Sequence, residues 1–331
     1  MKPHRVYLGV DLGSVSTNLV LLDGDTLKLV KKIYLRTQGQ PITALTQGMA
    51  QLGKASNWDV LGVGATGSAR QLAEVMVGAD VTKNEITAHA VAASHEIAVV
   101  RTILEIGGQD SKIILLRDGV VTDFAMNTVC AAGTGSFLDQ QASRLNIPIE
   151  DFGEIALKSG HPVRIAGRCT VFAESDMIHK QQLGHGLPDI LAGLCTAMVR
   201  NYLNNVGKGK EIADPIVFQG GVAANQGMRK AFKEALSMDV HVPEHFDVMG
   251  ALGAAILSKE FIARGNQSHF LGFSMAESTY QTTSFECEDC PNHCEIINII
   301  KDGRSIAIWG SRCGKFAIKQ EMKLEDIPVV V

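Results

Sequence analysis

Apolar positions along this chain switch between two periods. Val6 to Asp23 reads VYLGVDLGSVSTNLVLLD, an apolar run, a Gly-Ser turn and a second apolar run, which predicts a β-hairpin. Leu27 to Tyr34 predicts a third strand. From Pro41 to Lys54, Leu45, Met49 and Leu52 then recur at helical spacing, so one face turns inward. Asp59 to Gly64 predicts a short strand running into Ala65-Thr66-Gly67, and Ala69 to Met76 and Ile86 to Val99 predict helices. His89 and His95 on the second helix have no partners at metal-ligand spacing, so they read as packing or solvent-facing residues.

The opening pattern then returns. Thr102 to Gly119, TILEIGGQDSKIILLRDG, repeats it at a shift of 94 residues: Glu105 falls on Asp11, Gly107 on Gly13, Ser111 on Thr17, and Leu115-Leu116 on Leu21-Leu22. One acidic strand end beside a Gly turn is an ordinary hairpin as readily as a site. Two in register indicate an internal repeat. The fold class is therefore α/β, a duplicated ribonuclease-H-like fold with an interlobe cleft. Lobe I takes residues 1–98 and is completed by a helix over 249–264; lobe II takes 99–248; a Cys-rich extension takes 270–331. A carboxylate at such a strand end suits a hydrated Mg²⁺, and facing Gly turns suit phosphates.

Between the lobe motifs, Met126 to Leu145 places Cys130 among small residues, ahead of Gly133-Thr134-Gly135 and a helix bearing Phe137, Leu138 and Leu145. A Gly-Thr-Gly-Ser helix start turns free N–H groups outward, toward a phosphate or an anionic cluster. The other reading is a buried cysteine beside a tight turn. Helices are predicted over Ile149–Lys158, Glu174–Leu183 and Leu187–Val206, with Cys195 on the last as a core residue and the loop His161–Phe172 carrying Cys169. Ile216–Phe218 predicts a strand entering Gln219-Gly220-Gly221 and a helix that ends near Leu236. That arrangement forms a floor for an adenine or ribose. After a short strand at Val240–Pro243, a small-residue helix from Met249 stops at Gly265.

Composition narrows the class. Of 331 residues, 46% are hydrophobic and 20% charged, enough for a sizeable core. A net charge of -4 without a long basic run disfavours nucleic acid. The N-terminal segment lacks a signal-peptide apolar region, and no apolar stretch reaches the roughly 18 residues of a membrane span, so a soluble, cytoplasmic protein is expected. Seven cysteines in such a chain point to metal or redox chemistry rather than a disulfide scaffold. Cys130 and Cys169 are each solitary. They are either two core cysteines or half of a four-thiolate site completed by a symmetric dimer. Cys287, Cys290, Cys294 and Cys313 follow a C-x₂-C-x₃-C-x₁₈-C spacing, which predicts zinc or a second iron–sulfur cluster, with His293 as a substitute ligand, against free surface thiols. Ile296–Ile300 and Ser305–Trp309 predict a hairpin around Asp302-Gly303. The final KLEDIPVVV is an apolar run that suits the front of a longer polypeptide.

VDLGSVST, EIGGQDSK, NTVCAAGTGSFLDQQASRL, GRCTVFAESDMI, FQGGVAANQGM and MGALGAAI, in that order over roughly residues 5 to 264, resemble the ATP-dependent activators of 2-hydroxyacyl-CoA dehydratases. These form the activase branch of the acetate-kinase, sugar-kinase, actin and heat-shock ATPase superfamily, also seen in benzoyl-CoA reductase ATPase subunits. The resemblance implies an actin-like ATPase that is a homodimer sharing one [4Fe-4S] cluster, with Cys130 and Cys169 of each copy as ligands. It implies ATP in the cleft, with Asp11, Glu105 and Gln109 carrying Mg²⁺ and Asp110 positioning the attacking water. Gly13, Ser14, Val15, Ser16, Thr17, Gly107, Gly108, Lys112, Gly133, Thr134 and Gly135 would hold phosphates, and Gly220, Gly221, Asn225 and Gly250 the nucleoside. Asn18 stands where such proteins often have Lys, and Glu105 where Asp is usual. The implied function is ATP-driven delivery of a low-potential electron, from a flavodoxin or ferredoxin, to an iron–sulfur dehydratase or reductase. A small-molecule kinase, a reductase of a double-cubane cluster protein and a non-catalytic nucleotide-dependent scaffold are the alternatives.

Overall fold

The computed structural model describes residues 3–55, 57–127 and 129–316; the terminal KLEDIPVVV lies outside them. The first repeat supplies β1 (His4–Leu12), β2 (Ser16–Asp23), β3 (Leu29–Arg36), α1 (Pro41–Ala55), β4 (Trp58–Thr66), α2 (Arg70–Val77), β5 (Val81–Thr82) and α3 (Glu85–Glu96). The second supplies β6 (Thr102–Ile106), β7 (Ser111–Arg117), β8 (Val120–Asn127), α4 (Gly135–Arg144), α5 (Ile149–Leu157), α6 (Thr170–Gln182), α7 (Leu187–Asn205), β9 (Ile216–Gln219), α8 (Gln226–Leu236) and β10 (Val240–His241). α9 (Met249–Ala263), β11 (Tyr280–Glu286), β12 (Glu295–Lys301) and β13 (Arg304–Trp309) follow.

The duplication read from the sequence is a duplication of topology. One five-stranded sheet runs β3-β2-β1-β4-β5 and the other β10-β9-β6-β7-β8. In each, the opening hairpin is antiparallel and its first strand then pairs in parallel with the strand after the crossover, β1 with β4 and β6 with β9. Asp11 stands opposite Thr66, and Glu105 opposite Gln219. The repeat therefore fixes both carboxylates at the same end of equivalent strands.

α3 and α9 form a layer between the sheets. Ile86, Ala90 and Ala93 of α3, with Ala251, Leu252 and Ala255 of α9, share a core with Tyr7, Val20 and Leu22 of one sheet and Ile103, Ile114 and Val217 of the other. Helix crossing is close because α9 is built of small residues; a Cβ at Gly253 would overlap the carbonyl of Ala88. Lobe II has its own core around Phe152, Tyr202, Phe218 and Phe232. Cys195 belongs to it, fully buried, with its thiol pushed up to about 12 by burial.

The C-terminal residues form a three-stranded sheet ordered β11-β12-β13. Its hairpin matches expectation; β11 and the outer strand β8 do not follow from the hydrophobic pattern. Met275, Tyr280, Ile299 and Ala307 join the core that holds Leu45, Met49 and Leu52 of α1, so the sheet continues lobe I. The third strand begins at Leu29, later than expected, because Leu27 takes a left-handed turn conformation at φ 58°. α3 stops at Glu96, where Ile97 becomes extended. α6 begins earlier than predicted, at Thr170, which makes Cys169 its N-cap. No helix among the described residues is long and apolar enough to cross a membrane.

Candidate functional site

A cavity of about 300 Å³ lies where the two hairpin turns face each other. Asp11, Gly13, Ser14, Val15 and Ser16 line one side, and Glu105, Gly107, Gly108, Gln109, Asp110 and Lys112 the other. Gly135, Gly220, Gly221, Asn225 and Gly250 complete the wall. The turns touch: a Cβ on Gly108 would meet the Val15 side chain at 2.6 Å. The structure places three further candidates behind the wall. Thr17 Oγ1 bonds Thr37 Oγ1 at 2.9 Å in the interior. Gly133 packs on the Asn201 and Asn127 side chains, and the Thr134 hydroxyl donates to Ala131 O at 2.8 Å.

Each carboxylate packs against glycines on one side. Gly67, at φ +97°, leaves room for Asp11 Oδ1, and a Cβ at Gly250 would strike Oδ2. On the other lobe a Cβ at Gly220, φ +88°, would come within 2.7 Å of Glu105 Oε1. Only glycine combines that backbone with that clearance. Burial raises Asp11 to about 6, against the pull of Lys112. Burial likewise raises Glu105 to about 7, although Lys112 donates to its Oε2 at 3.1 Å. Lys112 is itself buried, which works against its charge, but Glu105 and Asp110, the latter at 2.8 Å, together raise its pKa. Asn18 occupies the position equivalent to Lys112 on the first hairpin, opposite Asp11, and its buried Oδ1 has no partner among the described residues. The cleft thus concentrates two buried carboxyls, a buried lysine and two facing glycine turns. That donor set fits a hydrated divalent cation and polyphosphate.

The pattern reading missed His89. Its ring is buried and lines the cleft, with Nδ1 2.8 Å from Gln219 Nε2. Glu85, one turn earlier on α3, lines the cleft as well and pairs with Arg70 at 3.6 Å. Residues four apart on a helix share a face, so this spacing was a usable signal. His95 is exposed.

Cys130 and Cys169 come together on lobe II. Each precedes a helical segment as its N-cap, Cys130 before the 3-10 turn Ala131–Gly133 and Cys169 before α6, and each is half-buried. Cys130 Sγ lies 3.8 Å from Arg168 O, beside Cys169. Val129, Val171 and Phe172 around them are strongly exposed. The Cys130 segment is also tied to the cleft: Gly135 N donates to Gly107 O at 2.8 Å and Ser136 N to Gly108 O at 2.9 Å. Paired thiols at helix N-termini suit thiolate ligands of a cluster.

At the far C-terminal end, Cys287 N donates to Cys294 O at 2.8 Å, the Cys287 thiol faces Asp289 at 3.3 Å, and Cys290 and Cys313 are exposed. His293 pairs with Glu286 at 2.7 Å. Among the described residues no three His, Cys, Asp or Glu side chains converge as metal ligands. The four-cysteine spacing is therefore not gathered into a ligand set here.

Two sheets of one topology, closing on glycine-cradled carboxylates, define an actin-like ATPase fold. Residues 8–258 match the BadF/BadG/BcrA/BcrD ATPase family, and the chain belongs to that family. It is 35% identical over 263 residues, 78% of this chain and 98% of the relative, to the (R)-2-hydroxyglutaryl-CoA dehydratase activating ATPase of Acidaminococcus fermentans. The crystal structure of component A of that dehydratase superposes with a TM-score of 0.71 at 32% identity, covering 78% of this chain and 99% of that one. The activator of the 2-hydroxyisocaproyl-CoA dehydratase from Clostridium difficile with bound ADPNP gives 0.71 at 31% identity, covering 78% and 96%.

Proposed function

We infer that this chain hydrolyses ATP to drive a low-potential electron into an iron–sulfur dehydratase of the 2-hydroxyacyl-CoA class, as a homodimer sharing one [4Fe-4S] cluster. One observation carries the reading. Only a short segment separates Cys130 from Gly135 and Ser136, whose N–H groups are bonded to the Gly107–Gly108 turn. Any movement of that turn on loss of the γ-phosphate is passed to the cysteine through backbone hydrogen bonds. The relatives named as dehydratase activators support the choice of acceptor.

Asp11 and Glu105, with Gln109, would hold Mg²⁺ through water, and the ion would neutralise phosphate charge. Lys112 holds Glu105 and Asp110 in place. Gly13 N and Gly107 N are spent inside their turns, on Ser16 O and Asp110 O, so the backbone of Ser14–Val15 and Gly108–Gln109 would meet phosphate oxygens from opposite sides, and Gly220, Gly221 and Asn225 would accept the nucleoside. Cys130 and Cys169 of two copies would ligate the cluster, which supplies a one-electron store. Exposed Val129, Val171 and Phe172 would be covered by the second copy, excluding water from the sulfurs and tuning the potential. A ferredoxin or flavodoxin would recharge it.

Anaerobically purified protein should contain about four iron atoms per dimer. C130A and C169A should each lose that iron and the electron delivery while keeping ATP binding. A C130A protein with full iron and full delivery would overturn the reading. A phosphorylated small-molecule product in stoichiometric yield with ADP would favour a kinase instead.

A further inference from the structure

His89 is a buried side chain at the cleft with a defined hydrogen bond that the phosphate-binding scheme does not use. Its position is set by packing. α3 is pressed on α9 at the Ala88–Gly253 contact, and α9 carries Gly250 against the Asp11 carboxylate. On its other side the imidazole Nδ1 meets the Gln219 amide at 2.8 Å. Gln219 ends β9 and pairs in register with Glu105. A continuous set of contacts therefore runs from Asp11 through α9, α3 and His89 to the strand end beside Glu105.

The hydrogen bond has a chemical consequence. Gln219 Nε2 donates, so Nδ1 accepts and the ring proton of the neutral imidazole is on Nε2. Burial and then the nearby Lys112 charge push the ring down to about 3, so it stays neutral at physiological pH. Nε2 makes no hydrogen bond among the described residues, and the side chain, 7% exposed, lines the cleft, so a molecule bound in the cleft can take up this free donor.

We propose that His89 is a neutral hydrogen-bond donor for an oxygen of the bound nucleotide or its attacking water, held in the donating tautomer by Gln219. It is a catalytic residue for hydrolysis, fixed on the helix layer between the two sheets, and Gln219 is its positioning residue. The proposal rests on the ATPase reading above. Such a donor acts on charge that develops during the reaction, so its loss costs turnover more than binding.

The experiment is steady-state ATP hydrolysis with three variants of the full dimer, each checked for native melting and nucleotide binding. H89N retains an amide toward Gln219 and removes the cleft donor; kcat should fall by about tenfold or more with KM for ATP within about threefold. H89Q places an amide N–H near the former Nε2 and should recover to within about threefold of wild type. Q219E replaces the donor to Nδ1 with an acceptor and should lower kcat although His89 remains. Nitrogen-15 NMR of the histidines should show an Nε2–H tautomer at neutral pH that shifts on adding ADP. H89N turning over like wild type, or an Nδ1–H tautomer indifferent to nucleotide, would overturn the proposal. A wild type with no ATPase activity would remove the functional reading instead, and the tautomer and its response to ADP would still decide this one.

Discussion

Asp11 and Glu105 keep their protons to higher pH than ordinary carboxyl groups because burying charge is costly, at about 6 and about 7 against ordinary values of 3.8 and 4.5. Their folded pKa values lie above the unfolded ones, so the folded state binds more protons and stability falls as pH rises between about 4 and about 7. The ligand-free protein should therefore lose stability from pH 5 to pH 7.5 relative to a D11N/E105Q variant, read as the difference in their melting temperatures at each pH. Equal trends would show that burial is not perturbing the pair. Both carboxylates were legible because the repeat put them in register. For His89 the sequence offered only its spacing from Glu85, which a search for local metal ligands passes over, while its partner Gln219 lies 130 residues away. Thr17 and Thr134 matched the phosphate motif by position, but their hydroxyls satisfy Thr37 and the Ala131 carbonyl. A motif fixes which residue sits in a turn and leaves the direction of its side chain to the surrounding packing.

The helix layer shows how element packing sets the site. Ala88 and Gly253 meet where no side chain fits, so the crossing of α3 on α9 depends on one missing methyl. G253A should force the helices apart, with a loss of about 1–3 kcal/mol and a measurable drop in melting temperature. ATP hydrolysis should fall further than ATP binding, since α9 also carries Gly250 beneath Asp11. A G253A enzyme with wild-type turnover and melting would refute a rigid layer. Most elements were readable from apolar period, while β8 and β11 escaped for a shared reason. Each is an outer strand with a single neighbour, and each is largely exposed. A strand paired on one side needs little apolar surface, so the pattern that betrays a central strand is weak there. The start of α6 was set too late for a different reason: its N-cap is Cys169, which makes no side-chain cap hydrogen bond, and Ser, Thr, Asp or Asn at the cap is the usual start signal.

At the scale of the molecule, the C-terminal sheet is the part least expected from the sequence. Its cysteine spacing suggested a separate module, yet its apolar face finishes the lobe I core. Phe273 packs over Gly53 of α1, and the chain at His269 and Leu271 covers Gly78 at the end of α2. The family match ends at residue 258, and the A. fermentans relative is covered over 98% of its length by 78% of this chain. That relative's length therefore matches the lobes without the sheet. In this chain apolar residues of α1 and α2 share one core with the sheet. A protein ending at residue 266 should fold and bind nucleotide but melt well below the full chain. Burying Met275, Tyr280 and Ile299 stabilises by roughly 1.5–3 kcal/mol per side chain. The cut should also expose Leu52 and Met76, visible as increased dye binding and concentration-dependent association. Because Ser68 borders both the nucleotide cleft and the groove between α2 and the sheet, ADP binding should slow amide exchange in β11 of the full chain. Exchange in β11 unmoved by ADP, together with unchanged melting after the cut, would mean that the sheet sits on lobe I without sharing its energetics.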